Sequence, residues 1–516
     1  MDSQTFHPAW REYEAGKEYK RRIGLFETVR RNERFYRGDQ WYGSTADLPH
    51  PVFNVVRRIT DYLVASVAGG DVAIRFCDDS LPFARNANER SAIEVGLEIL
   101  SKNAALRWKQ NRMSDLCRQA LLDAAISGDG VFYCWWDPNK KNGQAFNGDI
   151  RTDLIDSTNL FVADVNSSDL QSQEYVILSG RAPVSLLRRE ARQAGVDEKE
   201  IAKIVGDDDL DSMAGDLASV ESDDCKKETF LLRFFRENGE VVFEKSTKSC
   251  NIKRVCTGLK HYPIAYFHWH EAKNSFHGDA PVSDMIANQK YINTAYAMAM
   301  KHMGDTAFSK VIYDKSRIPE WSNEVGEAIG AMGGGNVSDA VSVVGVGKMQ
   351  EGYLDLITQI IENTKSMMGA TEAALGDAEA RNTSAIITLQ NASQIALDHV
   401  KSAFWRCIGE LATIWSDMLC AYCPSERLLA FSDDSEGMTA QSVNFSLLKR
   451  EMLRATADAS GSNRYTPAST VSVLDKLLEL GHLDIRQYIE MLPAGTVENR
   501  ELLLNKLALK GVKQDG

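Results

Sequence analysis

The sequence predicts an α+β fold in which α-helices predominate. Apolar residues recur at helical spacing over long stretches, the longest running from about residue 384 to residue 423. Short runs rich in aromatic and β-branched residues, which are typical of strands, concentrate between residues 131 and 270. After about residue 280 helical patterns take over. We therefore expect most strands in the first half of the chain and the longest helices in the second.

In the first half, helices are expected over residues 15–36, from Asn54 to about Gly69, and over most of residues 84–126. Asn54 fits the N-cap position of the second of these helices. Strands are expected at residues 131–136, twice within 149–182, and at 262–270; a short helix is expected near 184–205, followed by an acidic loop at 207–224. "FLLRFF" and "VVFEK" flank Asn238–Gly239, the preferred turn pair of a β-hairpin.

Three helices organise the second half. The first is capped by Ser283 and is expected to form an apolar side from Met285, Tyr291, Ile292, Ala295, Met298, Ala299 and Met303. The second covers residues 351–368, with Gly369 as its C-cap and with Tyr353, Ile357, Ile360, Ile361 and Met368 on one face. Between the two, residues 306–347 predict short strands, a helix and a Gly-rich turn. The third helix, Ser384–Cys423, would be roughly 60 Å long at 1.5 Å per residue, which favours an elongated, assembled architecture.

Composition narrows the class of protein. The chain has 516 residues, 44% of them apolar and 25% charged, as in an ordinary globular protein. No apolar leader segment and no run of 18 apolar residues are present, so we expect neither a secretory signal nor a membrane span. The net charge of -13 argues against tight binding to nucleic acid through its phosphates, although not against passing contact. The nine scattered cysteines are typical of a reducing compartment.

Two short motifs imitate ligand-binding loops and fail at their decisive positions. "GVGKM", residues 345–349, has Ser342 where a phosphate loop needs glycine and Met349 where it needs the hydroxyl that binds Mg²⁺. Asp207, Asp209 and Asp211 resemble the start of a calcium loop. However, Ser212 replaces its turn glycine and Ala218 its bidentate acid. We expect an ordinary turn and a solvated acidic segment.

Four of the nine histidines fall between His261 and His277. His268 and His270 lie on one face of the predicted strand and so are candidates to share a metal ion, with a structural role as the favoured alternative. No Ser/His/Asp or Cys/His arrangement can be assembled from local signatures. We therefore predict no catalytic residue, no metal site and no cofactor.

The linker "GATEAALGDAEARNTS", residues 369–384, joins two strong helical patterns and is longer than most helix–helix connections. Glu372, Asp377 and Glu379 against Arg381 give it three negative charges and one positive, a net charge of -2. Its glycines, including Gly376, permit backbone geometries that other residues resist. Asn382, Thr383 or Ser384 can cap the helix that follows.

The order of these pieces resembles the portal protein of tailed bacteriophages over roughly residues 25–505. The segments that carry the resemblance are "NERFYRGDQW" (32–41), "ISGDGVFYCWWD" (126–137), "NSFHGDAPVSDMIANQKYIN" (274–293) and "MGATEAALGDAEARNTSAI" (368–386). The resemblance implies a ring of about twelve subunits at one capsid vertex, through which double-stranded DNA enters and leaves. It implies an elongated subunit with wing, stem, clip and crown regions, and a structural protein rather than an enzyme.

The resemblance also divides the chain. The wing would be residues 1–280, the stem helices 281–303 and 351–368, the clip 304–350, the tunnel loop 369–383, a long wing helix and following segment 384–454, and crown-like helices 455–516. The tunnel loop would present Glu372, Gly376, Asp377, Glu379, Arg381 and Asn382 to DNA in the channel. In the clip, Lys310, Lys315, Arg317 and Trp321 form a basic and aromatic set suited to docking a partner.

The partners implied by the resemblance are further copies of the chain, viral double-stranded DNA in transient and non-specific contact, the terminase large subunit, head–tail adaptor proteins, and the major capsid and scaffold proteins. The expected locations are the portal vertex of the virion and the host cytoplasm during assembly. Two alternatives stay open: another connector or scaffold protein of the head, and a nucleic-acid-processing enzyme such as the packaging motor. The motor would need a phosphate loop or a carboxylate cluster on strand ends.

Overall fold

The computed structural model describes residues 8–41, 47–69, 72–83, 86–141, 147–207, 226–307, 310–322, 324, 326, 328–344, 352–370, 395, 397–423, 426–433, 437–448, 452–458, 471, 474–478, 480 and 483–492. Its α-helices are α1 (Pro8–Arg22), α2 (Leu25–Arg37), α3 (Val55–Ala68), α4 (Ala87–Gln110), α5 (Met113–Ser127), α6 (Val184–Gln193), α7 (Glu198–Ile201), α8 (Pro281–Thr306), α9 (Gly352–Met367), α10 (Asp398–Tyr422) and α11 (Ile485–Met491).

The strands are β1 (Ala73–Asp78), β2 (Asp129–Asp137), β3 (Asp149–Ile155), β4 (Leu160–Val162), β5 (Tyr175–Pro183), β6 (Lys227–Glu237), β7 (Glu240–Thr247), β8 (Asn251–Cys256), β9 (Ile264–His268), β10 (Lys310–Tyr313), β11 (Val341–Val344), β12 (Glu426–Asp433), β13 (Gly437–Asn444) and β14 (Leu453–Asp458). They form a five-stranded sheet (β4-β5-β6-β7-β8), a three-stranded sheet (β3-β2-β9) and three antiparallel pairs, β1-β14, β10-β11 and β12-β13. The predicted α+β class is confirmed.

Helix α10 runs through the main core. Most of its side chains are buried, including Phe404, Leu411 and Trp415, and it packs against β9, β14 and β2. The indole Nε1 of Trp415 donates to Oγ1 of Thr152 on β3 at 3.1 Å. The prediction of a helix in this segment is confirmed for Asp398–Tyr422; most of its predicted N-terminal part lies outside the described residues. Because it contacts β2, β9 and β14, α10 joins the three-stranded sheet to the C-terminal strand β14.

The five-stranded sheet is covered on both faces. Helices α6 and α7 pack on one face through an apolar cluster that includes Leu187 and Ile201. Helix α1 packs on the other face, where Trp10 and Tyr13 meet Ile177 and Leu231. The predicted hairpin joins β6 to β7, and Asn238 and Gly239 have the φ values of 52° and 81° that its turn requires.

Of two predictions about the N-terminal helices, one is wrong and one is confirmed. Residues 15–36 form parts of two helices rather than one, because Gly24 adopts a left-handed conformation between α1 and α2. Asn54 is the N-cap of α3, as predicted, since its side chain accepts from the backbone N–H of Arg57.

In the second half, Ser283 is not the cap of its helix. Helix α8 begins at Pro281, a residue suited to the first helical turn because it lacks an N–H, and Ala280 occupies the N-cap position. The Ser283 hydroxyl instead accepts from the side-chain amide of Asn32 on α2 at 2.9 Å. The prediction of a helix between the strands of residues 306–347 is also wrong. Between β10 and β11, the helical structure in the described residues is a 3₁₀ turn, Val337–Ala340.

Candidate docking site and ring interface

The clip candidate is built on a tight turn that follows β10. The carboxylate of Asp314 accepts from the backbone N–H and the hydroxyl of Ser316, at 2.9 and 2.6 Å. Both hydrogen bonds lower the pKa of Asp314, and the bond from the hydroxyl has the larger effect. The Asp314 carbonyl accepts from the N–H groups of Arg317 and Ile318, and Ile318 is buried. The turn therefore holds residues 314–318 in one shape at the surface.

The predicted clip residues occupy different settings. Lys310 opens β10, with its backbone opposite Val344. Lys315 is exposed at the turn, whereas Arg317 is half-buried and donates through Nη2 to the carbonyl of Asn336 at 3.3 Å. The ring of Trp321 stacks on Tyr313, with centroids 5.4 Å apart. The structure therefore gives Arg317 and Trp321 defined positions and leaves Lys315 presented to solvent.

Sequence reasoning missed the apolar part of this surface. Ile312 and Val343 lie on opposite faces of the β10–β11 pair, because Ile312 is opposite Ser342 and Val343 is opposite Val311. Both side chains are exposed, as are Met332 and Val337. The alternation of apolar residues in "KVIY" and "VSVV" was a signal for strands, but it gave no indication that Ile312 and Val343 would stay exposed.

Helices α8 and α9 form an antiparallel pair, the stem candidate. The Tyr353 hydroxyl at the start of α9 donates to the carbonyl of Ala295 at 3.1 Å. Toward the other end of α9, Asn288 donates its side-chain amide to the Thr364 hydroxyl at 3.1 Å. Helix α8 is about 39 Å long at 1.5 Å per residue, so the pair projects a long surface.

The predicted apolar faces of the stem candidate are only half covered. On α8, Met285, Ile292, Ala295 and Ala299 are buried as expected, whereas Tyr291, Met298 and Met303 are about half exposed. On α9, Ile357 of the predicted face is buried and the other members of that face are partly buried, whereas Leu354, Leu356 and Met367, which were not predicted to lie on it, are exposed. Exposed apolar side chains along two paired helices are typical of a surface that another chain covers.

Gly369 ends α9 as predicted. It has a left-handed φ of 70°, and the next N–H, of Ala370, donates to the carbonyl of Lys365 at 2.9 Å. The tunnel-loop residues Glu372, Gly376, Asp377, Glu379, Arg381 and Asn382 lie outside the described residues.

His268 and His270, the two candidates to share a metal ion, lie in different settings. His268 ends β9 and is buried, whereas His270 lies beyond the strand, is exposed, and bridges to Asp279 through its backbone. His268 instead turns its Nδ1 toward Asp129, as does His277. In the part of the chain that the structure describes, no group of three His, Cys, Asp or Glu side chains can hold a metal ion.

Two open cavities flank α2. One of about 670 Å³ lies against α8 and is lined by Arg31, Trp41 and Lys290 among others. The other, of about 620 Å³, is acidic, with Glu33, Asp123 and Asp156 in its wall. Burial, together with the charges of Asp156 and Glu33, raises the pKa of Asp123 to about 7.

Part of the chain that includes the stem and clip candidates matches a known protein family. Residues 251–473 match the family model of the phage P22-like portal protein. The chain resembles phage portal proteins. The matched residues include β8, β9, α8, the clip candidate, α9 and α10, so the portal-like part of the chain contains the half-covered helix pair. The resemblance recognised in the sequence is confirmed over these residues.

Curated proteins and solved structures were also compared with the chain. No curated protein matches the chain. A solved structure described as the neck of an empty GTA particle, computed with C6 symmetry, is similar at 11% sequence identity and a TM-score of 0.37, over 87% of this chain and 90% of that one. Among the described residues, no helix is long and apolar enough to cross a membrane.

Proposed function

We propose that this chain is the subunit of a portal ring at one capsid vertex, with a structural role rather than an enzymatic one. The observation that carries the proposal is the match of residues 251–473 to the phage P22-like portal family. The α8–α9 pair supports it independently, because the pair leaves apolar side chains exposed on both helices. A closed ring covers such faces by repeating one contact around its axis.

In this proposal the ring is the channel for double-stranded DNA during packaging and ejection. The acidic balance of the chain, 72 acidic against 59 basic residues, supports a conduit that does not hold DNA tightly. The tunnel loop, residues 369–383, would face the channel with its net negative charge. Arg381 would be the charged side chain that contacts phosphate there.

The proposal assigns docking to the clip. Lys315 is exposed at the turn, and the exposed side chain of Ile312 lies three residues earlier on β10, so this region offers both a basic and an apolar side chain. The terminase large subunit would bind there during packaging and a head–tail adaptor afterwards. Contacts with the major capsid and scaffold proteins would lie elsewhere on the ring.

Ring assembly provides the test. We expect native mass spectrometry and negative-stain images of the purified chain to show closed rings of about twelve subunits with a central hole. The double variant Met303→Glu, Leu354→Glu places a charge on the exposed face of each stem helix while keeping a good helix-forming residue. It should shift the population strongly toward monomers.

The matched control is Val95→Glu, which also adds a charge at an exposed apolar position of a helix, here α4. This control should leave the ring fraction unchanged. A wild-type chain that stays monomeric at high concentration would contradict the proposed function. Rings that survive the stem variant unchanged would contradict the assignment of α8 and α9 to the interface.

A further inference from the structure

One buried carboxylate receives three hydrogen bonds beside the start of α8. The Oδ2 atom of Asp129 lies 2.7 Å from Nδ1 of His277, and its Oδ1 atom lies 3.2 Å from Nδ1 of His268. The backbone N–H of Gly278 also donates to Oδ1, at 2.8 Å. We call Asp129, His268 and His277 the Asp129 cluster. All three are buried, and Asp129 is only 1% exposed.

The protonation of this cluster follows from its geometry. Hydrogen bonds from the two histidines hold the pKa of Asp129 below its usual value, against the effect of burial. Asp129 is therefore ionised and can only accept hydrogen bonds. Each histidine must then carry a proton on Nδ1, so a neutral imidazole in the cluster has its Nε2 unprotonated.

The cluster joins elements that are far apart in the sequence. Asp129 begins β2, His268 ends β9, and His277 and Gly278 precede Pro281, the first residue of α8. The same approach segment is held by Tyr266, whose hydroxyl donates to the carbonyl of Phe276 at 2.7 Å. Through these bonds the three-stranded sheet determines where α8 begins.

Burial opposes the protonation of His277. The charged and titratable groups that act on His277 are Asp129 on β2, His268 on β9 and the buried ammonium of Lys20 on α1. Tyr266, also on β9, contacts the His268 ring edge-on. Where Lys20 is protonated, its ammonium group adds to the effect of burial on His277, and the carboxylate of Asp129 opposes that effect.

We propose that the Asp129 cluster is a proton-sensitive clasp that holds the start of α8 to the three-stranded sheet and releases it in mildly acidic solution. The clasp goes beyond the portal role, because it acts within one subunit whether or not a ring forms. Burial, more than the charge of Lys20, lowers the pKa of His277. Below about pH 6.5, His277 therefore binds protons more readily in the released segment than in the held one. The clasp weakens as the pH falls from about 6.5 through the lowered pKa of His277.

Hydrogen exchange of the full chain, followed by mass spectrometry, measures the release. After correction for the intrinsic pH dependence of exchange, amides of residues 276–285 should lose about tenfold or more in protection between pH 7.5 and pH 5. Amides of the β6–β7 hairpin, residues 230–247, should not change, because they lie outside the cluster. Equal protection of residues 276–285 at both pH values would overturn the proposal without any variant.

A double variant, His268→Asn with His277→Asn, keeps an N–H donor near each Nδ1 position and cannot take up a proton. Its protection at residues 276–285 should vary with pH much less than that of the wild type. The matched control is His270→Asn, which removes an exposed histidine from the same segment and should leave the wild-type response intact. A double variant that follows the wild-type pH dependence would overturn the proposal.

Discussion

The backbones of Gly128 and Gly278 lie in direct contact. Gly128 ends α5 with a left-handed φ of 97°, and a Cβ atom added to it would overlap the carbonyl group of Gly278. The next residue after Gly128 is Asp129, and Gly278 donates to its carboxylate. This close approach therefore brings the sheet and the segment before α8 together.

Replacing Gly128 should test this contact. Gly128→Ala combines a disfavoured φ with a clash against backbone, so we expect a loss of roughly 4 kcal/mol or a failure to fold. Gly195→Ala is the control, because Gly195 has a similar φ of 80° with no atom within 4 Å of the added Cβ. It should cost only about 1 kcal/mol. Urea unfolding monitored by circular dichroism compares the two; equal losses would contradict the contact.

Lys20 should make stability depend on pH. Its Nζ lies 2.5–2.9 Å from the carbonyls of Ser157, Thr158 and Leu160. Burial lowers the pKa of Lys20 from 10.5 to about 7, with Asp129 and Asp156 opposing the shift. Between these values the unfolded chain binds more protons, so this residue's contribution to the free energy of unfolding rises as the pH rises from about 7.

Relative to Lys20→Met, the wild type should gain about 1–2 kcal/mol of stability between pH 7 and pH 8.5. Burial raises the pKa of other groups, such as Cys117 and Tyr422, but both chains contain them, so their contribution cancels in the comparison. Urea midpoints at the two pH values give the difference. Lys253→Met, at an exposed position on β8, should follow the wild type. A pH dependence shared by the wild type and Lys20→Met would refute the assignment.

Phe404 should be a main contributor to the core around α10. It is 1% exposed and packs edge-on against Phe267 of β9. Phe404→Ala should lower the free energy of unfolding by about 3–5 kcal/mol. Phe83→Ala removes the same atoms from a side chain that is 80% exposed, and we expect a change within about 0.5 kcal/mol. Thermal unfolding distinguishes the two, and similar melting temperatures would show that α10 is not central to stability.

Charge reversal in the clip should weaken partner binding. The variant Lys315→Glu, Arg317→Glu inverts two positive charges on the turn after β10, and we expect at least a fivefold loss, about 1 kcal/mol, in binding of the terminase large subunit or adaptor. Pull-down with titration measures the loss, while negative-stain images check that rings persist. Lys273→Glu reverses an exposed charge outside the clip and should bind normally. Unchanged binding by the clip variant would exclude these residues from docking.

Shortening the tunnel loop should separate assembly from DNA handling. Removing residues 372–380 deletes Glu372, Asp377 and Glu379 together with Gly376. Ring formation and melting temperature should stay close to wild type, whereas DNA packaging or retention should fall. Packaging assays with nuclease protection give the readout. A shortened ring that fills and retains a genome at the normal rate would refute the proposed contact of the tunnel loop with DNA in the channel.

Local patterns were sufficient for much of the fold. The period of 3.6 in residues 398–422, the Asn238–Gly239 turn and the Asn54 cap each depend on neighbours within a few positions, so the sequence alone predicted them correctly. The split at Gly24 and the true start of α8 at Pro281 were missed. No break was predicted at Gly24, and Ser283, predicted as the cap of α8, instead meets Asn32 of α2.

The sequence by itself determined the class of fold, the helical and strand segments and the resemblance to portal proteins, because these depend on periodicity, turn chemistry and the order of segments. Only the tertiary structure decided which apolar residues stay uncovered, as at Met298 and Leu354. It also decided that His268 and His277 meet Asp129, at sequence separations of 139 and 148 residues. No local pattern encodes such contacts, since they arise when separate elements pack together and a buried charge must find its donors.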